Sequence, residues 1–282
     1  MTSRAYGWIW MLTDYGQRDG FAAVCRGVIA RIAPTVRMGD ITHDVPPGDV
    51  RHGAVVLTQV VPYLPPSVVM AVVDPGVGGP RRGLVLEAGA ALLVGPDNGL
   101  LPWAADALGG IAAAVEPSDP AYHLPTPAHT FHGRDVFAPV AAHLAAGVAL
   151  EALGPSLATD DLFRLPEPRV EIRAGVLDTE VMAVDRFGNV QLAARHADLE
   201  AAGLAGSAVE IGAADRAYRI VLASTFGDVA PGDLVAFVDS AGHLAIAVNG
   251  GEAATELRLA PGDAVLVTRP AGPAATPSWS AS

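Results

Sequence analysis

A carboxylate, a guanidinium and an imidazole occupy two short stretches of this chain, and no nucleophilic serine or cysteine accompanies them. In Val72-Val73-Asp74-Pro75-Gly76-Val77-Gly78-Gly79-Pro80-Arg81-Arg82 an apolar run leads into an acid, a glycine-rich turn and two arginines, and Thr130-Phe131-His132-Gly133-Arg134-Asp135 offers the imidazole. An acid, a cation and a histidine without a side-chain nucleophile can orient a water molecule and take up its proton, so these residues suit delivery of an activated water. The turn after Asp74 can fold Arg81 back over the same carboxylate, where a guanidinium fork would fix and orient it. A structural ion pair between Asp74 and Arg81, and a core or helix-terminal role for His132, are the competing readings.

Other acids also stand at the ends of apolar runs. Asp14 follows the run 8–13, Asp40 and Asp44 flank the end of 36–41, and Asp97 lies in Gly95-Pro96-Asp97-Asn98-Gly99 after 92–94. Ligands of open α/β sheets bind beyond the carboxyl ends of the strands, which gives these positions weight, although an Asp there also caps helices and pins turns. Asp14, His43, Asp44, Asp74, His132 and Asp135 could alternatively ligate a metal. Spacing gives that idea little support: no HExxH, CxxC or His-x-His pair is present, and an arginine beside Asp74 would repel a cation. A site without metal is the expectation.

The elements that must hold these groups follow from hydrophobic rhythm. Runs at 8–13, 21–33, 36–41, 50–61 and 68–73 alternate as strand, helix, strand, helix, strand. Val68-Val69-Met70-Ala71-Val72-Val73 shows no alternation of period two, the pattern of a parallel strand covered on both faces. Further strands are expected at 84–86 and 92–94 and helices at 100–108 and 136–146, which makes residues 1–165 an α/β domain with a central, mostly parallel sheet. Past the proline-rich stretch 154–169, short β-like runs separated by Gly, Asp and Pro turns occupy 176–184, 189–192, 209–212, 218–222, 234–239, 244–248 and 265–268. Residues 170–270 are expected to form a compact all-β domain, and the Pro-, Ala-, Ser- and Thr-rich 271–282 a disordered tail.

Composition narrows the function. With 282 residues, 51% of them hydrophobic, the chain can bury a core in each domain. A net charge of −12 disfavours nucleic acid and anionic membrane as partners, because an acidic field repels both. Lysine is absent, all 18 basic residues being arginine, which excludes a Walker-type phosphate loop and Schiff-base chemistry. Cys25 is the one cysteine; it cannot form an internal disulfide and reads as a buried, inert thiol. No stretch approaches the roughly 20 apolar residues that span a bilayer, and the N-terminus does not read as a secretory signal, so a soluble, cytoplasmic protein is expected.

Taken in order, Leu12-Thr13-Asp14-Tyr15-Gly16, Asp40-Ile41-Thr42-His43, Val73-Asp74-Pro75-Gly76-Val77-Gly78, Gly95-Pro96-Asp97-Asn98-Gly99, Phe131-His132-Gly133-Arg134-Asp135, Asp185-Arg186-Phe187-Gly188-Asn189 and Val248-Asn249 resemble the S-adenosyl-L-methionine hydroxide adenosyltransferases. These are hydrolytic relatives of the fluorinase and chlorinase. The resemblance implies an α/β domain joined to a smaller, barrel-like C-terminal domain, and a homotrimer with each active site between neighbouring subunits. The reaction it implies is S-adenosyl-L-methionine plus water giving adenosine and L-methionine, by in-line attack on C5′. A neutral thioether leaves from a sulfonium, so neither a general acid nor a metal or other cofactor is required. Asp74, Arg81 and His132 match the family's catalytic triad. Asp14 matches an aspartate that accepts hydrogen bonds from both ribose hydroxyls. Asp19 and Asp185 match acids that meet the methionine ammonium, Asn189, Asn249 and Gly250 match adenine contacts, and Ser240 matches a methionine-carboxylate contact. An acidic pocket also suits a cationic sulfonium.

Departures separate this chain from the halogenating relatives. Where those carry a tyrosine, a threonine and a serine around the halide, this chain has Asp74, Val77 and Gly133. A carboxylate there would repel fluoride or chloride. Gly48 stands in place of a ribose-packing tryptophan, and Ala241 in place of a carboxylate-binding arginine. A halide transferase and a non-catalytic nucleoside-binding protein are the alternatives to hydrolysis.

Overall fold

The computed structural model describes residues 5–206, 208–213 and 216–270, and the chain divides after Pro166 into two compact units. The tail expected at 271–282 lies outside the described residues.

In chain order the first unit comprises β1 (Trp8–Thr13), α1 (Phe21–Ile32), β2 (Arg37–Thr42), α2 (Val50–Val60), β3 (Ser67–Val72), β4 (Gly83–Ala88), β5 (Ala91–Pro96), α3 (Pro102–Ala107), β6 (Ala113–Val115) and α4 (Ala138–Ala145). Its strands form one sheet in the order β2-β1-β3-β5-β4-β6. β1 pairs in parallel with β2 and β3, and β3 with β5, whereas β4 runs antiparallel to β5 and β6. The antiparallel part follows from Gly89 and Ala90, which link β4 to β5 too briefly for a crossover.

Every residue of β3 is buried, as a strand covered on both faces must be. Its alternate side chains part company. Val68, Met70 and Val72 join Ile9, Met11, Ile29, Phe137 and Leu144 in the core under α1 and α4. On the other face, Gly53 of α2 comes so close that a Cβ there would touch Leu100, Val73 and Leu12. α1 buries Ala22, Cys25 and Ile29 at helical spacing. Each buried aliphatic side chain of this size contributes about 1.5–3 kcal/mol, so the sheet is a rigid platform for what stands at its edge.

The helix expected from 136 becomes α-helical only at Ala138; Gly133–Phe137 form a wider π-turn. Pro139 has no N–H to return to Asp135, and the Leu124 N–H takes that carbonyl instead, at 2.9 Å. Turns of this kind concentrate at functional sites.

The second unit comprises β7 (Val170–Arg173), β8 (Val176–Val184), β9 (Val190–Arg195), α5 (His196–Ala201), β10 (Ala208–Ala213), β11 (Arg216–Leu222), β12 (Leu234–Val238), β13 (His243–Val248), α6 (Ala253–Leu257) and β14 (Ala264–Thr268). The strand order is β14-β10-β11-β12-β13-β9-β8-β7, and a further β14–β8 pairing closes a seven-stranded barrel with β7 left outside on β8. Leu177, Val181, Leu192, Val209, Ile211, Ile246, Val265 and Val267 turn inward to its core. Elements β6, β7, α5 and α6 lie outside the sequence expectation. β7 reads Val-Glu-Ile-Arg, which carries little apolar signal, and α5 and α6 are too short for helical period to register. Among the described residues no helix is long and apolar enough to cross a membrane.

Candidate active site

β1 and β3 are neighbours with Thr13 opposite Val72, so Asp14 and the pair Val73-Asp74 leave the sheet at one carboxyl edge. The chain then turns back, with the Val77 N–H donating to Asp74 O at 3.2 Å and the Gly79 N–H to Gly76 O at 3.0 Å. Gly78 has φ of +76°, and a Cβ there would lie 2.4 Å from His129 O, so the turn requires glycine. This return places Arg81 on Asp74: Nε donates to Oδ1 at 3.0 Å and Oδ2 at 3.1 Å, and Nη2 also reaches Oδ2. The same Nη2 lies 2.8 Å from His132 Nδ1. The guanidinium rests 5.5 Å from the centre of the Phe137 ring, at the end of the π-turn that carries His132. Side-chain exposure is 13% for Arg81 and 6% for Asp74, the setting in which removing one partner of an ion pair costs about 3–5 kcal/mol.

Burial lowers the pKa of His132 below its ordinary value, and the neighbouring Arg81 charge acts in the same direction. Guanidinium nitrogens only donate, so His132 Nδ1 must accept, and the neutral ring carries its proton on Nε2. The imidazole is thereby a donor at Nε2. Of the three groups, Asp74 alone has lone pairs left to receive a proton.

Asp14, Tyr15, Asp74, Phe131, His132 and Gly133 line one cleft. Asp14 Oδ2 accepts from the Gly48 N–H at 2.9 Å, and Gly48 meets this geometry with φ of +75°. Asp19 is exposed ahead of α1 and is not part of the cleft lining. Tyr15, Phe21 and Phe131 are site residues that sequence reasoning did not single out. Their rings meet edge-on or tilted, at 5.7 Å for Tyr15 and Phe131 and 5.3 Å for Phe21 and Phe131. The available signal was Tyr15's place directly after Asp14.

The other strand-end acids build the frame. Asp40 pairs with Arg26 and lies 3.1 Å from Nε2 of buried His43, whose Nδ1 is 2.7 Å from Thr13 Oγ1. Because the Gly16 N–H donates to His43 O at 2.7 Å, this network clamps the loop that carries Asp14 and Tyr15. Asp97 accepts from Arg82 and from the Phe163 N–H at 3.0 Å. Asp135 accepts from Arg134 and from the Ala128 N–H, and Asp44 is exposed. Among the described residues no three His, Cys, Asp or Glu side chains gather as a metal site would require.

Within the second unit the expected binding residues fall into two groups. Asp185 Oδ1 accepts from the Phe187 and Asn189 N–H groups at 2.8 and 3.0 Å, and Oδ2 from Asn189 Nδ2 at 2.8 Å, so these two side chains hold each other and their turn. Val190 stands opposite Ile246, which puts Asn189 at the end of the β9–β13 ladder where Asn249 and Gly250 emerge. Asn249 Nδ2 donates to Val229 O at 2.8 Å, and Gly250 is exposed. Ser240 is exposed in the β12–β13 turn, beside Asp239, whose Oδ1 accepts from the Ala241 and His243 N–H groups. The length of β13 therefore separates Ser240 from Asp185.

Family models for the SAM hydroxide adenosyltransferase N-terminal domain and C-terminal domain match residues 9–154 and 179–266. The (R)-S-adenosyl-L-methionine hydrolase of Salinispora tropica is 54% identical over 93% of this chain and 97% of its own length. The fluorinase of an Actinoplanes species is 29% identical over 92% of this chain and 96% of its own. Among solved structures, an uncharacterized conserved protein from Thermotoga maritima superposes with a TM-score of 0.87 at 36% identity, covering 93% of this chain and 100% of that one.

Proposed function

The chain belongs to the SAM hydroxide adenosyltransferase family, and from that premise we propose that it hydrolyses S-adenosyl-L-methionine to adenosine and L-methionine through a water held by Asp74, Arg81 and His132. The observation that supports this reading is the continuous Asp74–Arg81–His132 hydrogen-bond chain, with Asp74 and His132 in the cleft that also contains Asp14. The water oxygen attacks C5′ as the C5′–S bond breaks. The electron pair of that bond returns to sulfur, and methionine leaves as a neutral thioether that needs no proton. Asp74 receives the proton that the water gives up. Arg81 fixes the carboxylate with its fork and occupies His132 Nδ1, which leaves the imidazole Nε2–H to donate to the attacking oxygen.

Asp14 accepts the ribose hydroxyls, and Asp19, Asp185, Asn189, Ser240, Asn249 and Gly250 contribute to the remainder of the substrate. No metal or cofactor takes part. The assembly is a homotrimer with each active site between neighbouring subunits. The name of the 54%-identical relative specifies the (R) sulfonium epimer, and the same epimer is assigned here. Halide transfer is disfavoured by the Asp74 carboxylate in the cleft and by the lower, 29% identity to the fluorinase.

Chromatography of the purified protein incubated with (R)-S-adenosyl-L-methionine and a chelator should reveal adenosine and L-methionine. Recovery of intact substrate, or of 5′-halo-5′-deoxyadenosine when halide is added, would overturn this reading.

A further inference from the structure

We propose that the Tyr15 hydroxyl is a further hydrogen-bond donor to the attacking water, standing in the space that the missing side chain of Gly133 leaves open. The inference rests on the hydrolytic reading above and adds a residue to it. Tyr15 leaves the end of β1 directly after Asp14 and faces the cleft that contains Asp74 and His132. A Cβ on Gly133 would lie 2.0 Å from Tyr15 Oη and 3.0 Å from Cζ. Any larger residue at 133 would therefore have to expel the hydroxyl, and glycine at the start of the π-turn is what admits it beside His132.

The ring is fixed while its polar tip is not engaged. Phe131 and Phe21 hold the ring at 5.7 and 6.1 Å, and the Tyr15 N–H donates to Thr13 Oγ1 at 3.2 Å. Oη has no hydrogen-bond partner among the described residues. A phenol whose body is packed and whose oxygen lacks a protein partner presents that oxygen to whatever occupies the cleft. Burial, reinforced by Cys25 and by the Asp14 and Asp74 carboxylates, pushes the phenol's pKa up, so it keeps its proton and has an O–H to donate. Asp74 draws on the water from one direction as the acceptor. Tyr15 and the His132 Nε2–H donate to its two lone pairs, so the electron pair that attacks C5′ is the one released from the O–H bond as the proton passes to Asp74.

The test compares Tyr15→Phe, Gly133→Ala and the double variant with the wild-type enzyme for kcat, KM and adenosine affinity. Tyr15→Phe removes one oxygen and keeps the ring contacts, so its thermal midpoint should match the wild type. Its kcat should fall about tenfold with KM and adenosine affinity within about twofold, as loss of one hydrogen bond to the reacting water requires. Gly133→Ala should slow turnover by displacing the hydroxyl, and in the Tyr15→Phe background it should add little. An unchanged kcat in Tyr15→Phe, a loss that tracks adenosine affinity, or full additivity in the double variant would overturn the proposal. An inactive wild-type enzyme would instead remove the hydrolytic reading on which it rests.

Discussion

The Asp74 carboxylate accepts three hydrogen bonds from a single guanidinium. An ionised carboxylate offers about four lone-pair positions, so one remains for water. The guanidinium in turn joins acid and imidazole, a geometry that a lysine could not reproduce with one nitrogen. Alanine at Asp74, Arg81 or His132 should each lower kcat by about 100-fold or more while adenosine affinity changes little, and Arg81→Lys should fail to restore turnover. Unchanged rates in all three alanine variants, measured by product release, would remove the proposed triad. Cys25 lies outside this chemistry: it is fully buried in α1, and burial pushes its thiol up to about 12.

At the scale of elements, the site is a consequence of two returns of the chain to one sheet edge. Parallel pairing brings the ends of β1 and β3 together, and the turn between β3 and β4 carries Arg81 back to Asp74. Gly78 makes that turn with positive φ against the His129 carbonyl. Gly78→Ala should therefore cost about 1–3 kcal/mol of stability in denaturant unfolding, and kcat should fall more than KM rises because Arg81 is displaced from Asp74. Wild-type stability and rate in this variant would show that the turn does not set the pair. The clamp formed by Thr13, His43, Asp40 and Arg26 serves the other return, under Asp14 and Tyr15.

Over the whole molecule, His132, His143 and His243 share one electrostatic property: in each, burial is the largest cause of a lowered pKa. The unfolded chain takes up protons on these rings near the ordinary value of 6.5, while the folded chain resists them to lower pH. Between the folded values and 6.5 the unfolded state binds more protons, so stability rises with pH in that window. The contribution is fully present above 6.5 and is lost as the pH falls toward the folded values. Thermal midpoints should be level from about pH 7 to 8 and decline from about pH 6.5 to 5.5. Replacing His143 and His243 by apolar residues of similar volume should flatten that decline; a slope unaltered by their removal would assign it to other groups.

Local pattern determined a large part of this protein. The strand runs 8–13 and 176–184 coincide with β1 and β8, and the unbroken apolar run at 68–73 foretold a strand buried on both faces. The order of the motifs gave the family and the candidate acid, cation and imidazole, because turns, strand period and residue chemistry are written in neighbouring residues. Tertiary structure decided what depends on distant partners. It closed the barrel by pairing β14 with β8 and left β7 outside it. It also sorted acids that look alike in sequence, sending Asp14 and Asp74 to the cleft while Asp40, Asp97 and Asp185 hold their own surroundings. The fit of the Tyr15 hydroxyl into the space at Gly133 belongs to the same class, since only packing brings together residues so far apart along the chain.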